Sequence, residues 1–153
     1  MSATVGSPAP SFTLTDQDRN TVALDDLKGT KTLIVFIPFP FTGICDDESC
    51  AIRDNLAALS DLDANVAVIT CHAVPVTKKW SDENNFTFRV LSDFWPHGLV
   101  ATQYGAFNEA VGGANRMTFV LDADGIVRSI IDSGSLGTAR EFEAYTTALS
   151  EIA

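Results

Sequence analysis

Three cysteines and two histidines are among the few residues in this 153-residue sequence that could carry nucleophilic or redox chemistry. Cys45 stands apart through its surroundings, because it follows Pro38, Pro40, Thr42 and Gly43 within KTLIVFIPFPFTGICDDESC, residues 31–50. A cysteine attacks as its thiolate, and an ordinary thiol, with a pKa near ~8.5, is mostly protonated at neutral pH. The first turn of a helix offers unpaired backbone N–H groups and the positive end of the helix dipole, and both favour a negative charge. A cysteine placed there suits a reactive sulfur better than a packing role.

The elements that would position it can be read on either side. Thr32 to Ile37 is almost wholly apolar, mostly β-branched or aromatic, and reads as a buried strand. Pro38 and Pro40 stop the ladder, since proline has no N–H to donate. Thr42 and Gly43 supply a turn, and Ile52, Leu56 and Leu59 recur at helical spacing, so a helix opens just before Cys45. Asn65 to Cys71 is a second buried strand, which makes a βαβ unit with parallel pairing and a right-handed crossover.

Around that unit the chain falls into order. Phe12 to Thr15 and Thr21 to Leu24 alternate apolar and polar residues about DQDRN, an edge hairpin, and Asp25 to Gly29 forms a short helical turn. Thr77 to Asn84 reads as a helix and Phe88 to Ser92 as a short strand. A further helix runs between Pro96, which could begin it, and Gly105, which could end it. Gly112 and Gly113 mark a flexible connection into the strand Met117 to Leu121. Asp122 to Gly125 is a hairpin turn, Ile126 to Ile131 its return strand, and Thr138 to Ile152 a closing helix with Phe142, Tyr145 and Leu149 on one face. The fold class is α/β, with residues 1–153 as a single domain and no repeat or linker.

Composition narrows the functions. Twenty acidic against ten basic residues give a net charge of −10, which argues against nucleic acid and anionic membranes as partners. No apolar run approaches the ~20 residues of a membrane span. MSATVGSPAP carries neither a basic nor a hydrophobic segment of the export type, so a cytoplasmic location is expected. An odd number of cysteines in a reducing compartment points to catalytic or incidental use rather than a disulfide framework. There is no C-x-x-C, no metal-ligand cluster and no phosphate-binding glycine loop, so neither metal nor cofactor is expected.

Pro38, Thr42 and Cys45 match P-x-x-x-T-x-x-C, the active-site motif of the peroxiredoxins, and Arg116 in ANRMTFV resembles their second active-site element. FTGIC, LSDFWPHG, YGAFNEA and ANRMTFV are similar to the AhpE group of that family, and the likeness runs from GSPAPSFTL to the closing helix. It implies a thioredoxin-like fold of the peroxiredoxin type: a central mixed sheet flanked by helices, with an N-terminal hairpin. It also implies a thiol peroxidase acting on hydrogen peroxide or organic hydroperoxides. Cys45 would be the nucleophile that becomes sulfenic acid, and Arg116 would fold back to supply a positive charge beside it. Thr42, whose hydroxyl can accept and donate, would hold peroxide and thiolate together, and Pro38 would shield the site. Glu48, three residues after the cysteine, would support the arginine. A thioredoxin-, glutaredoxin- or mycoredoxin-like protein would be the reductant.

Cys50 departs from the AhpE pattern and resembles the Q-type, bacterioferritin-comigratory-protein group, in which that position holds a resolving cysteine. In a regular helix residues five apart are ~8.7 Å between Cα atoms, whereas a disulfide needs roughly 4.4 to 6.8 Å, so the helix would have to unwind. A one-cysteine cycle resolved by an external thiol stays open, as does a redox sensor or chaperone-like protein that does not turn over. Asp46 and Asp47 read as solvated acidic residues of a helix start, Cys71 as packing, and His97 as a loop or helix-start residue. Phe94, Trp95 and Pro96 form an apolar cluster, either a homodimer interface or a local satellite core.

Overall fold

The computed structural model describes residues 2–152. Its strands and helices are β1 (Thr13–Thr15), β2 (Thr21–Ala23), β3 (Lys31–Phe36), α1 (Gly43–Asp54), α2 (Leu56–Asp61), β4 (Ala64–Thr70) and α3 (Val74–Asn84). There follow β5 (Arg89–Ser92), α4 (Leu99–Tyr104), β6 (Phe107–Asn108), β7 (Gly113–Ala114), β8 (Met117–Leu121), β9 (Val127–Asp132) and α5 (Phe142–Ser150). A 3-10 turn, Leu24–Leu27, joins β2 to β3.

Seven strands form one mixed sheet in the order β2-β1-β5-β4-β3-β8-β9. The expected βαβ unit is present: β3 and β4 pair in parallel from Lys31 with Ala64 to Phe36 with Ile69. β5 continues the parallel set beside β4, while β8 runs antiparallel on the other side of β3. The β1–β2 hairpin extends one edge of the sheet and the β8–β9 hairpin forms the other.

Alternation along β3 divides the core into two layers. Leu33, Val35 and Ile37 face one side with Ile52, Leu59, Trp80, Tyr145 and Leu149, the layer covered by α1, α2, α3 and α5. Ile34 and Phe36 face the other with Leu91, Tyr104, Phe119 and Leu121, under α4 and the N-terminal segment. Burial on both faces explains why β3 is a continuous apolar run rather than an alternating one. Cys45 belongs to the first layer.

Four local readings are corrected. The helix after Cys45 is not continuous: it breaks at Asn55, whose side-chain amide donates to the Ala51 carbonyl at 2.7 Å and ends α1. Pro96 does not begin α4; Gly98, at φ +68°, is its N-cap, though Gly105 does end it. Gly113 is paired in β7 opposite Asn108, so this stretch is a packed ribbon rather than a loose connection.

The closing helix is also shorter than Thr138 to Ile152, starting at Phe142. The segment before it is a run of turns and irregular backbone, and its Arg140 is buried.

Candidate active site

Cys45 is the third residue of α1 and is 0% exposed. Its Sγ accepts a hydrogen bond from the Phe39 N–H at 3.4 Å and another from Arg116 Nη1 at 3.1 Å. The strand, proline loop and helix therefore do what the sequence implies: β3 ends, the chain turns at Pro38 to Thr42, and α1 presents the sulfur to donors. Pro38 is buried, and its carbonyl lies so close to Gly113 that a Cβ there would sit 3.2 Å from the oxygen. Glycine at 113 lets the ribbon approach and cover the proline loop.

Arg116 enters from the segment between β7 and β8 and is 4% exposed. Its Nε–H donates to the Leu136 carbonyl at 2.6 Å, and Nη1 donates to Glu48 Oε1 at 2.7 Å as well as to the sulfur. Arg116 is therefore an interior residue and not a solvated one. Glu48, one turn after Cys45, is 6% exposed.

The cluster holds one member that the sequence did not reveal, Arg140. Its backbone N–H and Nε donate to Glu48 Oε2 at 2.7 and 2.9 Å, and Nη2 donates to Oε1 at 2.9 Å. Its Nη1 donates to the Thr118 hydroxyl, which in turn donates to Tyr145 Oη at 3.0 Å. One signal in the sequence points toward such a partner. Cys45, Glu48, Ser49 and Ile52 share the buried face of α1, and a carboxylate in that stripe demands cations.

Burial pushes the Glu48 carboxyl up, but the hydrogen bonds and charge of Arg140, with the bond from Arg116, outweigh it and hold the carboxyl below its ordinary range. Two guanidinium groups against one carboxylate leave a single positive charge uncompensated beside the sulfur. A thiolate at Cys45 would bring the buried cluster to neutrality.

Thr42 is exposed and stands at the N-cap of α1 without capping it. Its hydroxyl donates to the Phe39 carbonyl at 2.6 Å, so the oxygen lone pairs are left as acceptors. Cys50 lies five residues along the same unbroken helix, half-buried, with Sγ 3.8 Å from Asn84 Oδ1 at the end of α3. Burial pushes its thiol up, Arg53 works the other way, and Asp46, Asp54 and Asp47 add to the rise. All three cysteines are free thiols.

The remaining candidates are placed as follows. Cys71 is 2% exposed and its thiol is pushed up to about 12, first by burial and then by Asp93, which suits packing. His72 is engaged by the Thr70 hydroxyl, and His97 is a loop residue within 2.7 Å of the Gly112 carbonyl. Among the described residues no three His, Cys, Asp or Glu side chains are grouped to hold a metal. Phe94 and Trp95 are 49% and 83% exposed, so they do not form a satellite core. Asp46, expected in solvent, is instead half-buried and accepts hydrogen bonds from the Phe41 N–H and the Trp80 indole; Asp47 is exposed as expected. No helix of the described residues is long and apolar enough to cross a membrane.

Comparison with known proteins identifies relatives and structural neighbours. The chain is 43% identical over 149 residues to alkyl hydroperoxide reductase E of Mycobacterium tuberculosis, covering 97% of each. It is 33% identical over 136 residues to the putative peroxiredoxin bcp of Coxiella burnetii, covering 85% of this chain and 89% of the other. The crystal structure of peroxidoxin BcpB from Mycobacterium tuberculosis superposes with a TM-score of 0.88 at 25% identity, over 99% of both chains. Enterococcus faecalis AhpC shares the fold with a TM-score of 0.89 at 24% identity, over 98% of this chain and 92% of that one. The fold is thus the thioredoxin-like α/β fold of the peroxiredoxin type. Residues 5–130 match the AhpC/TSA family, and with these relatives the chain belongs to that family: it is a peroxiredoxin, a thiol-dependent peroxidase.

Proposed function

We propose that Cys45 is the peroxidatic nucleophile and that Cys50 resolves the product. The observation that carries this reading is the buried contact of 3.1 Å between Arg116 Nη1 and Cys45 Sγ, backed by Glu48. The Cys45 thiolate attacks the terminal oxygen of ROOH, the O–O bond breaks, and RO⁻ leaves to take a proton and become ROH. Cys45 is then a sulfenic acid. Arg116 stays beside the reacting sulfur and oxygen, the Phe39 N–H supports the charge, and the Thr42 oxygen accepts from the peroxide O–H. Pro38 keeps water from the sulfur.

The Cys50 thiol condenses with the sulfenic acid to give a disulfide and water, and an external dithiol protein of the thioredoxin, glutaredoxin or mycoredoxin kind reduces it. Hydrogen peroxide and organic hydroperoxides are the substrates. The resemblance to alkyl hydroperoxide reductase E favours the organic ones. The exposed Phe94 and Trp95 serve a homodimer interface.

One observation favours the alternative, in which the external thiol attacks Cys45 directly. Cys50 is held against Asn84 on an intact helix, out of disulfide range of Cys45 by helical geometry. Intact mass after one equivalent of peroxide separates the two. A loss of two hydrogens in the wild type, and a gain of one oxygen in Cys50→Ser, supports resolution by Cys50. A stable gain of one oxygen in the wild type assigns the one-cysteine cycle.

A further inference from the structure

Asp46 takes no part in the chemistry above, yet one of its oxygens joins three parts of the fold. From α1, Oδ1 accepts the Phe41 N–H of the proline loop at 3.1 Å and the Trp80 indole N–H of α3 at 2.7 Å. Neither donor has an easy substitute. Trp80 is 0% exposed, and a buried indole N–H without a partner is costly. Phe41 sits at φ +66°, a conformation that an aromatic residue keeps only when its surroundings hold it.

The loop secured in this way runs from Phe39 to Thr42. It supplies the Phe39 N–H that donates to Cys45 Sγ, and the Thr42 side chain that folds back on the Phe39 carbonyl. The Asp46 N–H donates to the Thr42 carbonyl at 2.9 Å, so Asp46 grips the loop through both its backbone and its side chain. The same carboxylate ties the first turn of α1 to α3, and it is this turn that must unwind before Cys45 and Cys50 can meet.

We propose that the Asp46 carboxylate is a latch with two effects on the peroxidase cycle. It holds the Phe39–Thr42 loop in the form that serves the Cys45 sulfur, and it restrains the first turn of α1 until its bond to Trp80 breaks. Asp46 is a positioning residue, and the proposal rests on the reading of Cys45 as nucleophile and Cys50 as resolver. Its signature is a pair of rate effects of opposite sign. Losing the latch slows formation of the sulfenic acid and speeds formation of the disulfide.

A purely electrostatic role predicts something else. A carboxylate near a thiolate opposes its charge, so removing that charge with either alanine or asparagine would speed the first step equally. Asparagine keeps a carbonyl oxygen that can accept from both donors, and this separates the hydrogen bonds from the charge.

The test is stopped-flow reaction with hydrogen peroxide, followed by rapid-quench mass analysis, for wild type, Asp46→Ala, Asp46→Asn, Trp80→Phe and Cys45→Ser. For Asp46→Ala the first step should fall about tenfold and the second should rise about tenfold, the worth of one or two buried hydrogen bonds. Asp46→Asn should return the first step to within about threefold of wild type, since the acceptor survives. Trp80→Phe, which removes the indole N–H but leaves Asp46 on the loop, should speed the second step alone.

In a Trp95→Phe background Trp80 is the only tryptophan, and its emission should shift as the disulfide forms and the indole leaves its acceptor. Asp46→Ala moving both steps in one direction, or leaving both unchanged, overturns the latch. So does equal acceleration of the first step by alanine and asparagine. Peroxide reduction by Cys45→Ser overturns the underlying reading of the nucleophile, whereas an inert Cys45→Ser beside an unaltered Asp46→Ala overturns the latch alone. A wild type that stops at sulfenic acid overturns the unwinding effect, and the alanine and asparagine rates still decide the loop-holding effect.

Discussion

Replacing Arg116 by methionine removes the cation beside Cys45 while keeping most of the buried volume. The magnitude follows from the geometry. A unit charge at 3.1 Å from Sγ, in a medium of effective dielectric constant near ~20, interacts with a thiolate by ~5 kcal/mol. Part of this survives in the variant, because the Phe39 N–H remains at 3.4 Å. Removing one preorganised donor from a reacting anion costs about 2.7 to 4 kcal/mol, or ~10²–10³ in rate. The charge count agrees: without Arg116, Glu48 and Arg140 neutralise each other and the thiolate has no counter-charge. The assay is the second-order rate constant for the first peroxide reaction by stopped-flow, with thermal unfolding as a control. Arg116→Lys should fall between, since one ammonium cannot bond the Leu136 carbonyl, Glu48 and the sulfur in the geometry of a guanidinium. A methionine variant that is folded and reacts within about threefold of wild type would refute the electrostatic argument.

Further expectations concern stability, reactivity and assembly. The Glu48 carboxyl lies below its ordinary range when folded, so its contribution is complete above the unfolded value near ~4.3 and is lost as pH falls through the folded value. Denaturant titrations of Glu48→Gln should therefore lack that part of the acid decline, and should show a loss of about 3 to 5 kcal/mol at neutral pH from two guanidinium groups left without their carboxylate. Cys71, with its thiol pushed up to about 12 by burial and Asp93, should resist alkylation at pH 8 in the native protein and react once unfolded; rapid native labelling would contradict its packing role. The protein should sediment at twice its 16.4 kDa chain mass at micromolar concentration, and Trp95→Asp should shift it toward the monomer; a wild type found only at the chain mass would remove the proposed interface.

Much of the scaffold was legible because its signals are local. The apolar run of β3, the prolines that end it and the helical spacing after Cys45 describe one strand–loop–helix unit, and the structure contains it. Element ends were less legible. Asn55 breaks the helix through a side-chain bond to its own preceding turn, which an apolar period running on to Leu59 conceals. Gly98 rather than Pro96 starts α4, since the proline lies in the turn before it. Long-range polar contacts were the hardest to read. Arg116 was paired with Cys45 through resemblance, 71 residues away in sequence, because no spacing rule links them. Arg140, 92 residues from Glu48, looks in sequence like a charged residue at a helix start. Asp46 likewise looks solvated until α3 brings the Trp80 indole to it.

The central claim, that Cys45 is the sulfur peroxide oxidises, is tested most directly by locating the first oxidation product. The Cys50→Ser protein, given one equivalent of peroxide in the presence of a cyclic dione that captures sulfenic acid, is digested and mapped by tandem mass spectrometry. The adduct should sit on Cys45 alone, with Cys71 unmodified, and should be absent when Arg116→Met is added and the sample is quenched early. An adduct on Cys71, or peroxide consumed with no sulfenic acid on Cys45, would contradict the account.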